Sequence, residues 1–298
     1  MQAAALSVFV VVSLVAVARA EVPLAPLWPN ADGTHWEYEM HVTDLREDID
    51  VDFDASLALE GTTTTPGGEA QNLIAVQQTS ATDRAHTHPN LPPILLAVWR
   101  GRPDLREALE ARSEGADAGG GWDPIFLHGG YLMKSTSNVQ MWQNDWTHPT
   151  WTYLEAPVTV GHSFVHQLVP EFTDDVFLHG TVVAVDAEVT TPAGIFSGAV
   201  KLHYLVDLGV ANLTDEGGVW VGTTHAEYRG SVHYVPGVGP VDLLEELTPY
   251  VWADCPNGCP PEVEDYVGVV TLTVTMVLAA PPTGVRPDSW GSVKALYR

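Results

Sequence analysis

Four aspartates occupy alternate positions in one short segment of the chain. They are Asp48, Asp50, Asp52 and Asp54. Carboxylate oxygens are the ligands that Ca²⁺ prefers, but an EF-hand loop starting at Asp48 would need Gly where Phe53 stands and Glu where Leu59 stands. On a strand, alternate side chains share one face and lie about 7 Å apart. The pattern favours a solvated acidic edge of a sheet, which opposes edge-to-edge pairing, with a weak surface Ca²⁺ site as the alternative.

An aromatic cluster in segment 141–153 is the second candidate site. Its members are Trp142, Trp146, Trp151 and Tyr153. With the neighbouring Asn144 and Asp145, these rings could stack on sugars as a ligand site. The interpretation that we favour is that the large rings pin the join between two β layers. Exposure of the rings beside polar side chains would reverse that preference.

No pattern in the chain carries a catalytic signature. The segment Gly161–Val165 lacks the second glycine of a nucleophile elbow, and the 38 acidic residues do not single out a pair of catalytic carboxylates. His162 and His166 are four residues apart on a predicted strand, where they share a face but are too far apart to chelate one ion easily. We therefore expect no catalytic residue, no cofactor and no dedicated metal site, which favours a non-enzymatic protein with a structural or ligand-binding role. The alternative is a secreted carbohydrate-active hydrolase, or a carbohydrate-binding module that uses the tryptophan cluster.

The charge balance excludes two classes of partner. The 298 residues include 13 Lys and Arg against 38 Asp and Glu, a formal net charge of −25. Binding to nucleic acid and binding to an anionic membrane surface both need clustered basic residues. A hydrophobic fraction of 45% is typical of a globular chain.

The first 20 residues have the pattern of a signal peptide. The apolar stretch Leu6–Val17 is followed by Ala18-Arg19-Ala20, a small-x-small cleavage site. The alternative, an uncleaved anchor, is disfavoured because the stretch is shorter than the ~20 residues that span a bilayer. We expect an exported protein that is periplasmic, at the cell surface or secreted, with no transmembrane span after cleavage. A lipid, a glycan or another surface component is its expected partner.

Two cysteines, Cys255 and Cys259, are separated by three residues. An exported chain meets an oxidising compartment, so a disulfide that closes this short turn is predicted. The alternative, a redox pair or half of a metal site, fits the spacing poorly.

Most of the chain has the pattern of β-strands joined by Gly and Pro turns. In His179–Thr190, for example, Val183, Val185 and Val189 fall on one predicted face. The sequence therefore predicts a mainly β fold of curved antiparallel sheets, and leaves open a meander, a sandwich or a half-barrel. One prominent short helix is predicted near 103–113 and a second over Val241–Leu247.

The predicted organisation has two related β halves. The first spans 21–153 with a helical insert at about 90–115, the second spans 154–280, and 281–298 is a Pro-rich linker with a basic tail. Gly33-Thr-His-Trp36 resembles Gly161-His-Ser-Phe164, 128 residues later. Thr64–Gly68 resembles Thr190–Gly194 in the same way. Chance similarity of turn residues is the alternative.

An ordered set of motifs resembles a family of exported bacterial β-rich proteins whose function is unknown. The set runs through Leu127-His-Gly-Gly130, Pro192-Ala-Gly-Ile-Phe196 and Pro236-Gly-Val-Gly-Pro-Val241, and its ending is Trp290-Gly-Ser-Val-Lys-Ala-Leu-Tyr-Arg298. The resemblance covers about residues 95–245 and the C-terminal tail. It implies an extracytoplasmic β protein and carries over no catalytic residue.

The C-terminal tail is a short cationic, aromatic peptide on a very acidic protein. Lys294 and Arg298 are its expected contacts if it serves as a sorting or docking tag. The alternatives are an ordered last strand or a frayed end paired with the acidic surface.

Overall fold

A computed structural model describes residues 21–29, 33–45, 49–64, 70–78, 130–134, 137–143, 151–168, 176–214, 220–252 and 269–283. Helix in this part of the chain is limited to α1, the single turn Leu24–Leu27. The strands are β1 (His35–Asp44), β2 (Ile49–Thr64), β3 (Ala70–Gln78), β4 (Gly130–Lys134), β5 (Asn138–Gln143), β6 (Trp151–Glu155), β7 (Ser163–Gln167), β8 (Phe177–Thr191), β9 (Gly194–Thr214), β10 (Trp220–Val235), β11 (Gly239–Trp252) and β12 (Leu272–Thr283).

All twelve strands form one antiparallel sheet in the order β6-β5-β4-β3-β2-β1-β12-β11-β10-β9-β8-β7. The first six strands and the last six are each a meander, and the pairing of β1 with β12 joins them. Strands β6 and β7 are left as the two edges of the sheet. The predicted mainly β fold of antiparallel sheets is therefore confirmed, and its arrangement is an open meander.

The two faces of the sheet differ in polarity. On β9 and β10 buried residues such as Tyr204 and Tyr228 alternate with exposed ones such as His203 and Arg229. We call the side that carries the buried residues the inner face and the opposite side the outer face. Period-two alternation of this kind is what one solvated face and one packed face require.

Two details of the sequence prediction are wrong. Segment 241–247 lies in β11 and not in a helix, because pairing with β10 and β12 overrides the local helix propensity. The regular alternation predicted for His179–Thr190 is broken by irregular register after Val182, with Asp186 at a φ of 61°. Val182, which precedes the irregularity, is buried, and so is Val189, which follows it, so the packed face of β8 changes from even-numbered to odd-numbered residues.

The two glycines of the predicted repeat have matching surroundings. Gly33 and Gly161 precede the first strand of each meander, with φ of 80° and 89°. Gly33 donates to Leu59 O at 2.9 Å and Leu59 donates back to Thr34 O at 2.8 Å. In the second half, Gly161 and Val182 make the same reciprocal pair with His162. This match supports the prediction of two related halves, which otherwise stays a prediction.

Large aromatic side chains fill the inner face. Trp28, which follows α1, packs on Tyr153 and Tyr234, with ring centroids 4.8 and 5.7 Å apart. Trp36 donates its indole N–H to Val238 O at 2.6 Å, and Tyr38 donates to Pro240 O at 3.0 Å. Because Tyr153 belongs to β6 and Tyr234 to β10, the sheet curls around this core.

Several predictions concern segments outside the described residues. These are the signal peptide, the helix near 103–113 with its insert, the Cys255–Cys259 disulfide and the tail with Lys294 and Arg298. Within the described ranges, no helix has the length and apolar character needed to cross a membrane.

Candidate functional site: a groove on the outer face of strands β8 to β11

A groove of about 500 Å³ lies on the outer face of four adjacent strands. Two directly opposed rows of side chains line it, one residue from each strand. The first row is Thr181, His203, Ser231 and Leu244, and the second is His179, Leu205, Arg229 and Glu246. The register of the sheet thus brings together residues that are up to 67 positions apart in the chain.

The floor of the groove contains little side-chain volume. Between the two rows runs a third row in which Gly180, Tyr204, Gly230 and Glu245 lie directly opposite one another. Gly230 and Tyr204 also line the groove. The glycines leave space below: the Phe164 ring covers Gly180, and the Tyr228 hydroxyl lies 3.1 Å from where a Cβ at Gly230 would be.

The lining is rich in hydrogen-bonding groups of mixed charge. Burial lowers the pKa of His203, and the nearby Lys201 and His233 lower it further. The imidazole is therefore neutral near pH 7 and offers one donor and one acceptor. Arg229 donates to Glu227 Oε2 at 2.8 Å, which holds the guanidinium at the side of the groove. The exposed Leu205 and Leu244 supply apolar contact area.

Directly under the groove, the inner face holds a buried carboxyl group. Glu245 is 7% exposed, and its Oε2 has no hydrogen-bond partner in the described part of the protein. Burial raises the pKa of Glu245 to about 8, against an ordinary value of 4.5, although hydrogen bonding with Tyr228 acts in the opposite direction. The group is thus largely protonated below pH 8.

Tyrosine hydroxyls surround this carboxyl group. Tyr204 donates to the carbonyl oxygen of Tyr153 and lies 3.1 Å from the Tyr234 hydroxyl. Burial raises the pKa of Tyr228 well above 10, and the carboxyl group of Glu245 raises it further. Hydrogen bonds therefore join Tyr204 to Tyr153 and Tyr234, and the acid beside these tyrosines with a pKa in the ordinary pH range is Glu245.

A second cluster joins the two edge strands of the sheet. Glu155 at the end of β6 contacts His166 Nε2 on β7 at 2.9 Å and His162 Nε2 at 3.8 Å. His166 lies at hydrogen-bond distance from Glu155 Oε2, whereas His162 is a longer neighbour of Oε1, and whether the two imidazoles could share one ion stays an untested prediction. In the described ranges, no three His, Cys, Asp or Glu side chains are placed to hold a metal ion.

We expect Glu155→Gln to lower the free energy of unfolding by about 1 kcal/mol, because both partners of the Glu155–His166 contact are only partly exposed. Urea denaturation at pH 6 would measure the change. The matched control is Glu39→Gln, an exposed glutamate on β1. An equal effect in both variants would show that the contact across the edges adds nothing.

The acidic segment lies on the outer face of β2. Asp50, Asp52 and Asp54 are exposed, and Asp48 lies outside the described residues. Asp52 contacts His41 Nδ1 at 2.8 Å, and Asp50 contacts the other ring nitrogen at 3.5 Å. The three aspartates share an exposed face, as the alternation predicted. The predicted position at a sheet edge is wrong, because β2 pairs with β1 on one side and with β3 on the other. Asp50 and Asp52 are both paired with His41 of the neighbouring strand β1, and the weak Ca²⁺ site stays an untested prediction.

For the aromatic candidates, the structure gives the side-chain surroundings of Tyr153 and the strand register of Trp142 and Trp151. Tyr153 packs against Trp28 in the core. In the backbone register, Trp142 lies opposite Tyr131 and Trp151 lies opposite Met141, so the two tryptophans are not a directly opposed pair. Trp146 lies outside the described residues. The position of Tyr153 agrees with the interpretation that we favoured, in which aromatic rings pin the core.

The groove residues and Glu245 were missed by the sequence analysis. Apolar and polar residues do not alternate in Leu243-Leu-Glu-Glu246, and the local composition favours a helix, in which Glu245 would not be singled out. The sequence contains one weak indication that 241–247 is a strand. Ser231–Val235 is a clear strand, and an antiparallel neighbour that followed the turn Pro236–Pro240 would place 241–247 beside it.

Comparison with known proteins gives little guidance. No family model matches the chain, and no curated protein matches it. Among solved structures, it is similar to a Bacteroides fragilis protein described as exported with a YmcC-like fold, at 12% identity and a TM-score of 0.30, covering 85% of this chain and 97% of that one. A Parabacteroides distasonis protein described as a lipoprotein matches at 13% identity and a TM-score of 0.30, with the same coverage of 85% and 97%.

A LolA superfamily protein from Nitrosomonas europaea is more distant, at 6% identity and a TM-score of 0.18, with 84% of each chain covered. These similarities are too low to carry an argument about this protein.

Proposed function

We propose that the chain is an exported, non-enzymatic binding protein that holds a polyhydroxylated ligand in the groove on the outer face of β8 to β11. The observation that carries the proposal is the lining of the groove. Hydroxyl, imidazole, guanidinium and carboxyl groups surround two leucines in a space of about 500 Å³. Ligand sites of this size combine a few placed polar groups with apolar contact area.

The chemistry of the lining favours hydroxyl groups over acyl chains. A ligand that covers Thr181, His203 and Ser231 removes water from their polar atoms. An acyl chain could not replace the lost hydrogen bonds, whereas sugar hydroxyls donate and accept. The C–H faces of a sugar could rest on Leu205 and Leu244.

Export is supported by the N-terminal sequence. The apolar stretch Leu6–Val17 and the Ala18-Arg19-Ala20 site have the order of a signal peptide. A cysteine pair at 255 and 259 fits an oxidising compartment.

A hydrolase is less well supported. Glycoside hydrolysis needs two carboxyl groups that flank one bond and have different pKa values. Among the described residues that line the groove, Glu246 is the one carboxyl group. The raised pKa belongs to Glu245, whose side chain lies on the inner face.

The test is an NMR titration of the full mature chain at pH 6 with three probes: maltoheptaose, oligogalacturonate and dodecanoate. We expect one of the two oligosaccharides to shift the amide signals of the groove residues, and dodecanoate to leave them unchanged. Ser231→Ala should weaken that binding by about tenfold, the effect of one lost hydrogen bond.

Thr43→Val is the matched control, since Thr43 lies on the outer face of β1 and outside the groove. Binding that survives Ser231→Ala unchanged, or a shift of the groove signals by dodecanoate alone, would overturn the proposal.

A further inference from the structure

The groove and the buried carboxyl group share one piece of backbone. Glu245 stands between Leu244 and Glu246, which line the groove, and lies directly opposite Gly230, which forms its floor. Successive strand residues point to opposite faces, so the Glu245 side chain enters the core while its two neighbours face the ligand space. A displacement of Glu245 therefore moves one wall and the floor of the groove together.

The groups that face Glu245 carry no charge at neutral pH. Tyr228 approaches it from β10, Tyr204 from β9 and Tyr153 from β6. Val274 lies opposite it on β12. In the part of the chain that the structure describes, the group has no salt bridge. An ionised carboxylate here would lack a counter-charge, whereas the neutral acid can share its proton with the surrounding hydroxyls.

We propose that Glu245 is a proton-dependent latch under the groove: the neutral acid keeps β10 and β11 packed, and its ionisation loosens the floor on which the ligand rests. The proposal concerns regulation of the site in the proposed function and rests on that function for its biological meaning. The latch itself is a property of the free protein.

The glycine at the floor explains how the latch would act. A carboxylate that ionises in a dry site draws in water or moves toward it. Gly230 has no side chain, so only backbone separates Glu245 from the groove at this point. Water that reached the ionised group from the groove would part the Gly230–Glu245 pair. A ligand that holds the floor in place would in turn favour the protonated acid, because linkage acts in both directions.

The direction of the pH effect follows from burial. Because burial raises the pKa of Glu245 to about 8, the latch is closed in acidic and neutral solution and opens above that value. Glu246, the neighbouring carboxyl group, faces the groove and has no part in the latch.

Hydrogen–deuterium exchange of the full mature chain without ligand tests the latch. After correction for the intrinsic exchange rate, the amides of Gly230, Ser231, Leu244 and Glu246 should lose at least about tenfold of their protection between pH 7 and pH 9. Glu245→Gln, which cannot ionise, should abolish that loss. The control Glu39→Gln should retain the loss of protection. The amides that pair β1 with β2 lie away from the groove and show whether the whole sheet loses protection at high pH.

Equal protection at both pH values in the unmodified chain would overturn the latch, and so would an equal loss in Glu245→Gln. If the Gln variant does not fold, Glu245→Met supplies a second neutral side chain with the same expected result. The probe titration at pH 6 is independent of these outcomes. A latch without sugar binding would refute only the proposed function, and sugar binding without pH-dependent protection would refute only the latch.

Discussion

Replacing Glu245 by Gln should remove a large part of the pH dependence of stability. The folded protein holds the Glu245 proton more tightly than the unfolded chain, because burial raises the pKa from 4.5 to about 8. The stability from this group is complete below pH 4.5 and is lost as the pH rises to about 8. At 1.36 kcal/mol per pH unit the loss is about 5 kcal/mol, which is as large as the whole stability of many domains.

Urea denaturation between pH 4 and pH 9 would measure the free energy of unfolding of the unmodified chain and of Glu245→Gln, and the effect is the difference between these two values. The unfolding free energy of Glu245→Gln should rise relative to that of the unmodified chain across this range, and the difference should level off above pH 8. Glu39→Gln controls for the loss of one negative charge from a very acidic protein. A difference that stays constant with pH would show that Glu245 has the same pKa in the folded protein as in the unfolded chain.

Gly180→Ala should destabilise the fold by about 3 kcal/mol or more, the upper range for overpacking a core. The Phe164 ring lies directly over Gly180 on the neighbouring strand, in the space that a Cβ would need. Phe164 is 4% exposed, so its ring has little room to move away. The Gly180→Ala substitution therefore tests whether the curvature of the sheet near β7 depends on the Phe164 ring that packs over glycine.

A double-mutant cycle with Phe164→Ala would establish the cause. Phe164→Ala alone should cost about 3–5 kcal/mol, and the double variant should cost less than the sum of the two, by about 2 kcal/mol. Gly230→Ala is the milder comparison, because the nearest atoms to its added Cβ lie 3.1 and 3.3 Å away. Strict additivity of the two substitutions would mean that the ring and the added methyl group do not compete for space.

Local sequence patterns were sufficient to predict the fold class and the shared face of the aspartates on β2. Alternation in His179–Thr190 predicted β8, and alternation in Asp50, Asp52 and Asp54 predicted one exposed face. Both depend on the period of two that any half-buried strand must have. The same reasoning failed where a bulge shifts the period, as it does after Val182.

The segment Val241–Leu247 shows the limit of local pattern. Its leucines and glutamates are good helix formers, yet it lies between β10 and β12 and forms ladder bonds with both. Neighbouring strands that are distant in sequence decided the outcome, because each backbone group in a buried strand must find a partner.

By itself, the sequence determined that this is a mainly β, strongly acidic chain with an export pattern and no catalytic motif. Those properties depend on composition or on short-range periodicity in the sequence. They can therefore be predicted without knowing which residues are neighbours in space. Only the tertiary structure decided that Glu245 is buried among tyrosines and that Ser231 and His203 face the same groove. Burial and cross-strand pairing are set by the register of residues far apart in the chain, and the free energy of a charged group depends on those surroundings and not on its own identity.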